Sequence, residues 1–351
     1  MKTNHIFLAL ILFLNIYSCE KQSVIQSTDL ETDSVLVDLS EDTLSLMLIE
    51  EMLKEYHITC IAFYNSAAWI GTFEQGLIEY RNNEPKLIEL PVNTVIHSID
   101  FDNNENIWLG TSNGIIMYDY ENFSIFNDEN TIIPRGFVYP LIMDSENQLY
   151  GSSSTASSGG LVHFDGNDWK LFTPENSMLS ARGIDCFVED NDGYVWFPNG
   201  DNLVKIEDTI MYNISLEKLG IPGIFSLTDI IPIKNTVILS TNEIVGCIYN
   251  QSSAHLPYSP LLYKKSKTES IVYYPYPTNI QFDQIAVDNN DFIWGSRSFN
   301  RQFIYKFDYD KIQVIDTQDR FSSILTFAFD KDNRLWIGTD SGIKIFSIES
   351  M

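Results

Sequence analysis

Reactive residues are sparse in this sequence. After the first stretch the histidines are His57, His97, His163 and His255. None belongs to a His-Glu-x-x-His helix of the kind that ligates zinc. No Gly-x-Ser-x-Gly elbow presents a nucleophile, and no glycine-rich phosphate loop occurs. Asp190-Asn191-Asp192-Gly193 has the opening spacing of a calcium loop, but the further oxygen ligands and distal Glu are missing. Similar stretches recur at Asp102-Asn103-Asn104-Glu105, Asp288-Asn289-Asn290-Asp291 and Asp330-Lys331-Asp332-Asn333. That recurrence fits hairpin turns, which need Asp, Asn and Gly. No metal, cofactor or catalytic residue is therefore assigned.

Recognition chemistry is better represented. His97 follows an aliphatic residue, Ile96, that recurs about every forty residues. The equivalent positions are Thr59, Tyr139, Asp185, Thr228, Asp283 and Leu325. Arg135, Arg182 and Tyr276 lie in segments leading into such positions, while Arg297 and Arg301 sit in a longer loop. The formal net charge is −26. Such a surface repels phosphate backbones, which argues against nucleic acid, and it makes any cluster of Arg informative. Arg and Tyr on one face suggest binding of a sugar, an anionic group or a protein. Solvated loops with incidental Arg are the alternative.

The elements that would position these residues are read from a repeat. Asn106-Ile107-Trp108-Leu109-Gly110-Thr111-Ser112-Asn113-Gly114-Ile115 closely matches Arg334-Leu335-Trp336-Ile337-Gly338-Thr339-Asp340-Ser341-Gly342-Ile343. Ala68-Trp69-Ile70-Gly71-Thr72 is a third copy, and weaker ones centre on Tyr150, Trp196, Ile238 and Trp294. Each copy runs from the aliphatic lead through an alternating strand and an Asp/Asn turn to the Trp strand. A Gly turn and a third strand ending in an aromatic follow, often with a fourth strand. A period of about 40 residues with four antiparallel strands predicts an all-β fold, a seven-bladed β-propeller of four-stranded antiparallel blades. Trp69, Trp108, Trp196, Trp294 and Trp336 should occupy equivalent second strands.

The Trp-(Ile/Leu)-Gly-Thr-x-x-Gly-(Leu/Ile) core resembles the two-component regulator propeller repeat over about residues 58–348. The resemblance implies a sensing or binding scaffold. Such repeats form periplasmic sensor domains of hybrid histidine kinases, or stand alone as exported lipoproteins. No kinase or transmembrane segment follows the repeats here, so the stand-alone form is expected. Streptogramin-lyase-like propellers use a similar scaffold, which keeps an envelope lyase or hydrolase at the channel mouth as the alternative function.

Residues 1–18 read as a signal peptide. Lys2 supplies the positive start and an apolar run follows, too short for a comfortable membrane span. Ile16-Tyr17-Ser18-Cys19 resembles a lipobox, which makes Cys19 the lipidation site and 19–33 a polar tether. The expected location is the cell envelope, at the outer membrane or periplasmic face, with a lipid anchor as the only membrane contact. Expected partners are a small molecule, a glycan or an envelope protein. Cys60, Cys186 and Cys247 have apolar flanks and read as buried thiols, with Cys60 and Cys186 too far apart to bond. Residues 34–351 form the propeller. Residues 34–39 are expected to close the ring as the outer strand of the last blade, with a short helix after Ser40.

Overall fold

The computed structural model describes residues 38–39, 44–154, 158–190, 193–215, 227–233, 236–241, 261–264, 270–273, 284–290, 292–297, 303–307, 311–316 and 323–350. Among these the chain is all-β, with strands in antiparallel meanders and no helix. No helix long and apolar enough to cross a membrane is present among them.

The first repeat is a four-stranded meander of Ile58–Tyr64, Ala67–Thr72, Leu77–Arg81 and Glu84–Ile88. Two further meanders start at Ile96–Phe101 and Phe137–Met143. They join into one eight-stranded sheet through a single parallel bridge, Phe137 to Gly114. Four-stranded sheets follow from Val188–Glu189 and from Leu227–Ile233. The next runs from Gln284–Val287 to Lys311–Asp316 and gains the short strand Asp38–Leu39 in parallel on its outer edge. The last contains Thr326–Phe329, Leu335–Thr339 and Gly342–Ser350. Its inner strand Thr326–Phe329 lies beside Ile58–Tyr64 of the first meander.

The expected closing strand is corrected. Leu44–Met52, not 34–39, pairs antiparallel with Gly342–Ser350 as the outer strand of the last sheet. Of 34–39, only Asp38–Leu39 is described, and it lies on the edge of the preceding sheet. The short helix expected after Ser40 is likewise replaced by strand from Leu44 onward. The physical reason is reach and fit. The last strand is nine residues long and needs a partner of its own length. Leu46 also inserts into the core beside Ile304, Ile315, Ile324 and Phe346.

The repeat residues divide the work of packing. The five motif Trp residues, Trp69, Trp108, Trp196, Trp294 and Trp336, occupy the second strand of their meander, as the spacing requires. In four of them the indole Nε1–H donates to an Asp six residues earlier. Trp108 reaches Asp102 at 3.0 Å, Trp196 reaches Asp190 at 2.8 Å, Trp294 reaches Asp288 at 2.9 Å and Trp336 reaches Asp330 at 2.8 Å. The other oxygen of Asp102 accepts backbone N–H groups of Asn104 and Asn106, so one carboxylate shapes the turn and satisfies the ring. The motif Gly lets the neighbouring inner strand approach. A Cβ on Gly71 would stand 2.8 Å from Ile96, and one on Gly338 would stand 2.7 Å from Ile58. The motif Thr holds the next turn, as Thr111 Oγ1 donates to the Gly114 carbonyl at 3.0 Å and accepts from Asn113 N at 3.1 Å.

Candidate functional site

The leading aliphatic residues anchor the inner strands: Ile58, Ile96, Val138, Ile184 and Ile324 are all buried. A register shift follows immediately in four of the described first strands, between Ile58 and Cys60, between Ile96 and Ser98, between Val138 and Leu141, and between Leu227 and Asp229. The residues stepped over are Thr59, His97, Tyr139 with Pro140, and Thr228. A bulge drops a residue from the ladder and re-aims its side chain. Four members of the series read as facing the mouth are thus bulge residues, lying with the loops that enter the first strands and the turns between second and third strands.

Two neighbouring repeats bring His97 and Tyr139 together, with ring centroids 6.0 Å apart. Phe137 stands 6.1 Å from His97 on the same entering segment. Phe137 is 41% exposed and Tyr139 44%, so both aromatic faces meet solvent. Arg135, two residues earlier, is also exposed. The single parallel bridge at Phe137 holds this segment against the turn that contains Ser112. His97 Nε2 lies 2.9 Å from Ser112 Oγ. Partial burial pushes the His97 pKa down, which favours a neutral ring able to accept the hydroxyl proton.

The other expected residues are distributed as follows. Arg182 is engaged, donating to Glu175 Oε1 at 2.5 Å and to the Gly159 carbonyl at 3.0 Å. Asp185 opens to solvent yet stands crowded by protein, and that desolvation raises its carboxyl above the ordinary range. Arg297 ends the strand Ile293–Arg297. Tyr276, Asp283, Arg301 and Cys19 lie outside the described residues. Sequence reasoning missed Ser112 and Phe137. Phe137 stands two residues before Tyr139, so it was within reach of the pattern. Ser112 is a motif turn residue whose chemistry shows only once the bulge turns His97 toward it. Among the described residues, no group of three or more His, Cys, Asp or Glu side chains is placed to hold a metal. Cys60 and Cys186 are not joined in a disulfide, and burial pushes the Cys60 thiol up to about 12.

A second concavity lies on the other face, at the seam between the first and last meanders. It is a cleft of about 360 Å³ walled by Phe63, Tyr64, Tyr80 and Trp336. The turns between first and second strands and between third and fourth strands form its rim.

Residues 320–341 match the family model described as two component regulator propeller. No curated protein matches the chain. Among solved structures, the chain resembles the extracellular domain of a putative hybrid two component system from B. thetaiotaomicron. That match has 17% identity and a TM-score of 0.65, and covers 86% of this chain but 39% of that one. Virginiamycin B lyase from Staphylococcus aureus is similar at 12% identity and a TM-score of 0.66, covering 86% of this chain and 98% of that one. YCF48 bound to D1 peptide is similar at 11% identity and a TM-score of 0.59, covering 90% and 98%. At these identities the likeness is one of fold. The repeat match and the two-component neighbour together support the two-component regulator propeller resemblance.

Proposed function

We propose that the chain is an exported, envelope-anchored propeller of seven four-stranded blades. In this reading it binds a small molecule, a glycan or an envelope protein at the mouth around His97, Phe137 and Tyr139. The blade number rests on the repeat anchors and on counting the eight-stranded sheet as two meanders. The strand Thr326–Phe329 beside Ile58–Tyr64 agrees with a ring that returns to its start. One observation carries the binding reading: adjacent repeats deliver His97, Phe137 and Tyr139 to one place, with two exposed aromatics beside exposed Arg135. Large amphipathic rings and Arg are the residue types that dominate recognition surfaces. Export rests on the N-terminal segment and agrees with the extracellular placement of the two-component neighbour. An extracellular domain of a putative two component system and a peptide-bound protein among the neighbours fit a recognition role.

The direct test is capture from the native envelope with the mature protein and a Phe137→Ala/Tyr139→Ala double variant. A partner held by the first and lost by the second is expected. Equal retention by both, or no partner at all, would remove the mouth from consideration. The lipid anchor at Cys19 has its own check: Cys19→Ser should move the protein from the membrane fraction to the soluble one.

A second reading, an envelope hydrolase, is favoured by the His97–Ser112 contact at 2.9 Å. A neutral imidazole beside a hydroxyl is the arrangement of a general base and its nucleophile. In an esterase and glycosidase substrate screen, His97→Asn and Ser112→Ala should each abolish any turnover. Activity that survives both substitutions would rule this reading out.

A further inference from the structure

The seam cleft exists because one clasp between neighbouring repeats is missing there. At other junctions the residue after the turn Asp is held by the next repeat. Asn103 N donates to Asn147 Oδ1 at 2.7 Å, Ser145 N to Glu189 Oε1 at 2.9 Å, and Asn289 N to Asn333 Oδ1 at 2.8 Å. Lys331 occupies the same place in the last repeat. The first repeat has no Asp turn to receive it, because its first hairpin turns on two residues, Asn65 and Ser66, both with positive φ. The space a clasp would fill is open, and Lys331 lines it.

The chemistry left in that space is specific. Lys331 is exposed and makes no ion pair among the described residues. Arg334 lies beside it, with Nε on Asp330 at 2.7 Å and a terminal nitrogen 3.8 Å from Asp332. The Asp330 carboxylate is spent on Arg334 and on the Trp336 ring. Asp332, 60% exposed at 3.8 Å, is a weak competitor that an incoming anion could displace. Asn82 and Asn83 form the facing hairpin turn, and their side-chain amides make no hydrogen bond among the described residues. The wall between is aromatic. Phe63 and Tyr80 both stand edge-on to Trp336, and Tyr64 has one face covered by Phe101.

From this we infer that the seam cleft binds a small ring-bearing carboxylate, its anion at Lys331 and Arg334, its ring against the aromatic wall and its polar rim at Asn82 and Asn83. The volume of about 360 Å³ lies at the lower end of small-molecule sites. An acidic sugar and an aromatic carboxylate share this chemistry. On a chain of net charge −26, paired cations of this kind also select for an anion that the rest of the surface repels.

Calorimetric titration of the mature chain with galacturonate and with 4-hydroxybenzoate, each against its methyl ester, tests the assignment and separates the two sources. Saturable binding of one acid is expected, with its ester at least about tenfold weaker. Lys331→Ala should weaken the acid by a similar factor. Asn83→Gly, which keeps a residue at ease with positive φ, should weaken it less. Tyr139→Ala, on the opposite face, should leave it unchanged, so that failure here is distinguishable from failure of the mouth proposal. Equal binding of acid and ester, indifference to Lys331→Ala, or no binding of either acid at millimolar concentration would overturn the site.

Discussion

The first repeat and the second carry the same Trp on the same strand, yet solve its burial differently. Trp108 has Asp102 six residues earlier and donates to it at 3.0 Å. At the matching place before Trp69 stands Phe63, and the Trp69 Nε1–H is buried with no hydrogen-bond partner. The Trp69 ring is fully buried all the same, edge-on to Tyr120 with centroids 5.9 Å apart. The Trp is therefore retained for packing, and the Asp is an added device that satisfies the indole, shapes the turn and supports the clasp to the next repeat. Where the device is missing, one donor is orphaned, which costs about 1–3 kcal/mol, and a cleft opens at the seam.

The contrast can be broken at several points. The largest effect belongs to Asp102→Ala. This substitution orphans the Trp108 indole and two backbone N–H groups at once, and should lower the free energy of unfolding by about 3–4 kcal/mol. Urea titration reads it directly, and a loss below about 1 kcal/mol would show that the Asp is incidental.

Next is Gly338→Ala. The added methyl would press on Ile58 at 2.7 Å and Thr326 at 2.6 Å, where the last repeat meets the first. A cost of about 2 kcal/mol is expected. A neutral result would mean that the two inner strands can part freely.

A smaller effect compares the two Trp residues directly. Trp108→Phe gives up a made hydrogen bond, whereas Trp69→Phe removes a donor that has none. The first should therefore cost about 1–2 kcal/mol more than the second. Equal losses would mean that Trp69 finds a partner in solution.

The smallest effect is electrostatic. Asp144 holds the turn in the third repeat, where Tyr150 replaces Trp, and burial raises its pKa to about 6. A carboxyl whose folded pKa lies above its unfolded value stabilises the fold once protonated, and this contribution disappears as pH rises through 6. Between pH 7 and pH 5 wild type should gain about 1 kcal/mol that Asp144→Asn does not. The difference between the two proteins is the quantity to measure. Burial lowers the His163 pKa to about 4, so His163 acts in the opposite sense and costs stability as pH falls below 6.5. Parallel pH profiles for the two proteins would contradict the role given to Asp144.

The period, the strand order and the Trp register were legible because they are local. Hydrophobic alternation, Asp and Gly turns and a recurring motif each act within a few residues, and every repeat states them again. The burial of Cys186 followed from its apolar flanks, whereas Cys60, read the same way, is only half-buried. The closing strand was misplaced because 34–39 and Leu44–Met52 have similar strand character. Only the length of Gly342–Ser350 and the core slot taken by Leu46 separate them.

The candidate sites divide along the same line. Sequence alone determined that one position in each repeat follows the leading aliphatic or aromatic residue, and it marked His97 and Tyr139 as members of that series. Tertiary structure decided that these residues leave the ladder in bulges, that Phe137 and Ser112 join them, and that Arg182 is already paired with Glu175. It also decided that the last repeat meets a first repeat lacking an Asp turn, which leaves Lys331 and Arg334 facing the amides of Asn82 and Asn83. The reason is distance. Turns and strands arise from neighbours in the chain, whereas a cleft joining residues 63–83 to 330–336 exists only after the two ends have been brought side by side.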